Sequence, residues 1–226
     1  MDYLKLAIYI LLFLLSIHLP SYAMSLLAYH KYGDSTPKLC GRMRWYNPIP
    51  SLDIFGTITV FFLWIAWPKP MDTNFNNLGK NRHHLAIIEA TGLGVTLALV
   101  LVGGLLYLLF SSLQHGLNLD LRYIMGITEM FTSFNMFMLL LKLLPIPPMP
   151  GFRILAGYLY HKPQGLFDSL PLAIMGSVII VVLILWTPLT AWLSSGVSGF
   201  LGIFGTSGNV YLNLLTKIPT IGGFYP

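Results

Sequence analysis

Proton transfer, metal binding and nucleophilic attack draw on a short list of side chains, and this sequence holds few of them: six histidines, eight Asp and Glu together, and one cysteine in 226 residues. His18 stands alone inside an apolar run. As a metal ligand it would need about two further protein ligands, and its sequence neighbours offer none. His83 and His84 are adjacent and follow Lys80 and Arg82 at the edge of another apolar run, where contact with water and headgroups accounts for them. Glu89 and Glu129 lie within or near apolar segments. A carboxylate there is costly, so each marks a functional or partner-binding position unless it reaches the headgroups or bonds a neighbouring helix. Lys142 is close enough to the end of its run to extend its amine to the surface. Cys40 has no histidine near it and does not read as a nucleophile, and a single cysteine excludes an internal disulfide.

The elements that must position these residues fold in lipid. Apolar residues make up 55% of the chain and charged residues 9%, against about 25% charged in an ordinary soluble domain. The expected class is an all-α integral membrane protein with a single membrane domain over 1–226. The net charge of +5 comes from basic residues scattered through loops beside apolar runs, a pattern of membrane topology rather than of nucleic-acid binding. The first run, YLKLAIYILLFLLSIHLPSYAMSLLAY, reads as a retained spanning helix in which Pro20 removes a backbone donor and invites a kink. Longer runs follow at about 85–111 and 122–146, with an additional spanning helix at 171–193. The segment 194–226 reads as a Gly-rich tail, in which Gly199, Gly202 and Gly205 are spaced to line a helix contact.

One run is ambiguous. IFGTITVFFLWIAW, residues 54–67, has 14 residues, about 21 Å of helix against a hydrocarbon core of about 30 Å. If it crosses, Lys and Arg divide 7 against 6 between the two sides; if it dips in and returns, they divide 10 against 3. The second arrangement matches the tendency of cytoplasmic loops to be basic. It predicts about four spanning helices plus one short re-entrant or interfacial segment, with both ends of the chain outside.

Three stretches, YGDSTPKLCGRMRWYNPIPSLDIFGTI, WPKPMDTNFNNL and LLPIPPMPGFRIL, resemble in order the corresponding stretches of the small bacterial branch of the site-2 protease family, over about residues 20–160. That family consists of intramembrane zinc metalloproteases, so the resemblance implies a site-2-protease-like helical bundle in a bacterial cytoplasmic (inner) membrane. The family's chemistry uses an H-E-x-x-H helix, in which two histidines hold zinc and the glutamate activates water, with the aspartate of an L-D-G motif as third protein ligand. Counted back from Gly33 and Asp34, the histidines fall on Ser21 and Ser25 and the glutamate on Tyr22. Three inserted residues would keep His18 but set Leu19 and Tyr22 at the other two places. The L-D-G aspartate falls on Pro150, and the G-P-x-x-N motif reads GLGVT from Gly92 to Thr96.

The expectation is a catalytically inactive relative of the protease, needing no cofactor, that acts as a scaffold, regulatory or accessory subunit among other integral membrane proteins. Ser21 and Ser25, one turn apart, with Glu129, are the candidate partner contacts. Competing readings are a zinc hydrolase completed by His18 with His83 or His84, and a proton or ion pathway using Glu89 and Glu129.

Overall fold

The computed structural model describes residues 3–63, 65–74, 83–117, 120–159, 170–185 and 187–206. Eight α-helices are described: α1 (Tyr3–Tyr32), α2 (Thr36–Leu39), α3 (Ile54–Leu63), α4 (His83–Leu117), α5 (Arg122–Leu143), α6 (Pro150–Leu159), α7 (Leu170–Leu185) and α8 (Thr187–Leu201). Among the described residues, three helical segments are long and apolar enough to cross a membrane: Ala7–Tyr32, His83–Leu117 and Arg122–Leu143. The chain is an all-α membrane protein.

α4 is the central helix, packed against α5, α1 and α6. Its small residues allow the close approach that drives helix association in lipid, where apolar surface alone brings little gain. A side chain at Gly103 would run into Thr132 of α5, and one at Gly92 into Met24 of α1. α1 continues as a helix through Pro20. The prolines after Lys142 remove donors and disfavour helix before them, and α5 stops at Leu143 as that pattern predicts.

The region expected to hold one further span at 171–193 is instead a broken pair. Helical segments Pro171–Leu185 and Leu189–Phe204 meet at 75° and together pass as one bent span. Pro188 falls in the first turn of α8, a place that tolerates a missing donor. Helix also extends past 194, into the stretch read from sequence as tail. Its glycines differ in use: Gly196 abuts Leu140, Gly199 and Gly202 face open space, and Gly205 adopts φ +70 where the helical geometry ends. The rest of the expected tail, residues 207–226, lies outside the described residues.

The short run returns to the side it entered. Leu52 and Pro68 form an antiparallel bridge, and Lys69 N–H donates to Ser51 O at 3.0 Å. Between those points α3 leads in, and the chain comes back through Ile65, Ala66 and Trp67, all buried. The two arms touch at Gly56, where a Cβ would meet the Trp67 carbonyl. Thr59 Oγ1 donates to Ile65 O at 2.8 Å, and Trp67 Nε1 donates to Asp53 Oδ1 at 3.1 Å. These contacts pair polar backbone within the protein, the condition a segment at membrane depth would have to meet.

Candidate functional site

Where α1 and α5 end and α4 begins, the loops fold back over the bundle and bring charges inside it. The loop after α1 starts with a left-handed Gly33, φ +71, whose N–H reaches Tyr29 O while the Asp34 N–H reaches Ala28 O. This glycine-capped helix end turns the chain sharply. It buries Asp34, whose Oδ1 accepts from the Thr36 N–H and hydroxyl and whose Oδ2 accepts from Asn74 N–H at 2.9 Å.

Arg42 follows and is wholly enclosed. Its guanidinium donates to Ser21 Oγ (3.0 Å), Lys69 O (3.2 Å) and Pro70 O (2.6 Å), and pairs with Asp72 at 3.1 Å. Burial pulls its pKa below the ordinary arginine value, and the Asp72 carboxylate opposes that pull. From the other side, α6 inserts Arg153, whose Nε lies 2.8 Å from Glu89 Oε1 and whose Nη1 donates to Met71 O at 2.8 Å. Glu89 and Arg153 are 2% and 5% exposed by side chain, so each is tolerable there only because of the other.

Lys142 belongs to the same end of the bundle. Expected at the surface, its amine is buried and donates to Thr96 Oγ1 of α4 at 2.8 Å. After Leu143 the prolines turn the chain into α6, which packs against α4 and α5.

The other sequence candidates are dispersed. His18 is buried, with Nδ1 3.2 Å from Ser51 Oγ and Nε2 3.0 Å from Trp45 O. His83 bonds Tyr158 at 3.1 Å and His84 stacks on Tyr32. Among the described residues no three of His, Cys, Asp or Glu gather as a metal would need. Cys40 is exposed. Glu129 is half-buried on α5, 13 residues before Lys142, or roughly 20 Å along the helix, so it belongs to a different level of the bundle from the Lys142 end. Tyr22 packs near His18, and Pro150 is the first residue of α6. Ser21 and Ser25, offered by sequence as a partner-facing pair, are both fully covered by this chain's own residues; Ser25 Oγ donates to Ser21 O at 2.8 Å.

Zinc does not fit the residues at the motif positions. Hydroxyls of Ser21, Ser25 and Tyr22 and the ring of Pro150 supply neither the imidazoles nor the carboxylate of such a site. A guanidinium already occupies the Ser21 hydroxyl, and a second cation beside it would be repelled. Of the residues that build this region, Arg42 and Arg153 enter the sequence reading only as loop charges, Asp34 only as a reference point for the motif, and Asp72 not at all. Arg42 and Arg153 lie within two of the stretches that carry the family resemblance.

A helical membrane bundle closed at one end by a buried ionic layer is the class that fold and site define. Among curated proteins, "Putative zinc metalloprotease YwhC" of Bacillus subtilis (strain 168) is 28% identical over 166 residues, which cover 72% of this chain and 73% of the relative. No family model matches the chain, and no solved structure matches it.

Proposed function

We propose that this chain is a site-2-protease-like membrane protein that has lost metal-dependent hydrolysis and serves as a scaffold, regulatory or accessory subunit of a membrane assembly. The observation that carries the reading is the Arg42 guanidinium on Ser21 Oγ. Ser21 falls where the family motif sets its first zinc histidine, and Arg42 brings a fixed positive charge to that place. Metal-assisted hydrolysis needs ion, water and proton acceptor together. Glu89, the buried carboxylate at this end, is committed to an ion pair with Arg153.

The relative's name favours a competing reading, hydrolysis through a zinc site of other composition. His18 argues against it, because both its ring nitrogens are engaged with Ser51 and Trp45. A proton path through Glu89 and Glu129 is disfavoured by the ion pair at Glu89 and by the separation of the two levels.

The subunit role is tested by gentle extraction of the full chain from native membranes, with mass spectrometry of what co-migrates. Recovery with the same membrane chains in constant ratio is expected. A stable solitary monomer would contradict it.

A further inference from the structure

The segment that leaves the hairpin, residues 68–74, is held as a bound peptide is held. Three successive carbonyls are taken by guanidinium groups from two different elements: Lys69 O and Pro70 O by Arg42, and Met71 O by Arg153. At its two ends the backbone N–H groups are also engaged, Lys69 N–H by Ser51 O at 3.0 Å and Asn74 N–H by Asp34 Oδ2 at 2.9 Å. Between them the Met71 side chain, 3% exposed, enters an apolar cluster made by Met24 and Ala28 of α1 and Ile88 of α4. Each receiving group also has a partner outside the segment, Thr36 for Asp34, Ser21 for Arg42 and Glu89 for Arg153, while the segment itself supplies the carboxylate, Asp72, that pairs with Arg42.

We infer that this end of the bundle is a groove for an extended polypeptide, and that residues 68–74 fill it in cis. Recognition is through carbonyl oxygens read by two buried guanidiniums, through the Asp72 carboxylate paired with Arg42, and through one unbranched apolar side chain seated between α1 and α4. Main-chain bonds supply affinity and the pocket supplies choice, as in other extended-peptide sites. The occupant that would displace the segment is a membrane-proximal strand of another chain carrying Met or a residue of similar shape where Met71 lies. Because the internal segment is tethered, its effective concentration is high, and a competing strand gains entry only when the internal one is weakened or the competitor is itself tethered nearby. This inference concerns binding and stands whether or not the chain hydrolyses peptides.

The test uses the full chain in detergent micelles and a fluorescent, end-capped peptide of sequence WPKPMDTN. Met71→Ser, which weakens the internal segment, is expected to bind the peptide about tenfold more tightly than the unmodified chain. A peptide with serine in place of its methionine is expected to lose that gain. Equal binding of both peptides, or no gain in the variant while its helicity is intact, would overturn the groove. If Met71→Ser does not fold, amide exchange in the unmodified chain decides. Exchange of the Lys69 and Asn74 amides through a partial opening, faster than that of α4, supports a displaceable segment; exchange only on global unfolding overturns it. Cleavage of the bound peptide would support the groove and would contradict the loss of hydrolysis, so the two claims fail separately.

Discussion

Helix α4 is joined to its neighbours by different physics at two levels. Around Gly103 the contact is steric: Thr132 fills the space a side chain would take, and Phe204 lies over Gly104 in the same way. Thr132 satisfies its own hydroxyl on Thr128 O at 2.6 Å. Around Glu89 and Lys142 the contact is polar, with an arginine on a carboxylate and an amine on a hydroxyl, all enclosed. The steric level changes gradually with side-chain volume. The ionic level depends on every member, because removing one charge leaves another buried and alone.

The largest effect should therefore come from breaking one ion pair. Arg153→Met is expected to cost about 3–5 kcal/mol by leaving Glu89 uncompensated, read as lost thermal stability of the full chain in detergent. Adding Glu89→Gln to it should recover most of that loss. A double variant no better than the single one would show that Arg153 acts through packing and its carbonyl contacts rather than through charge.

At the steric level the expected effect is smaller. Gly103→Ala should cost about 1–3 kcal/mol because its methyl meets Thr132. Thr132→Ala in the same chain should relieve part of it, a coupling that double-mutant analysis measures directly. Additive effects would mean that the helices part freely there.

The smallest effect belongs to the hairpin. Trp67→Phe removes the donor to Asp53 and should cost about 1 kcal/mol without changing topology. Cysteines placed in the loops at 44–47 and 69–73 should be labelled from the same face in both proteins. Labelling from opposite faces would mean that the short run crosses.

The sequence made the steric skeleton legible and left the ionic layer hidden. Apolar run lengths placed α1, α4 and α5, the prolines after Lys142 ended α5, and the 10 against 3 charge division anticipated the returning hairpin. These follow from local properties: length against bilayer thickness, missing donors, and loop charge. The break between α7 and α8 was missed because an apolar stretch reads the same whether straight or bent by 75°. Lys142 was read outward, and Arg42 and Arg153 as loop charges, because their burial depends on partners 21 to 64 residues away in sequence, Ser21 for Arg42, Thr96 for Lys142 and Glu89 for Arg153. Ser21 and Ser25, read from sequence as a partner face, are likewise covered within the chain, where Arg42 bonds the Ser21 hydroxyl.

The central claim is that fixed cations have replaced metal chemistry at this end of the bundle, and elemental analysis tests it most directly. The full chain, purified from native membranes and dialysed against zinc and then against metal-free buffer, should retain far less than one zinc per chain, and a chelator should leave its thermal stability unchanged. Retention of about one zinc per chain, together with chelator-sensitive cleavage of a transmembrane substrate, would contradict the account.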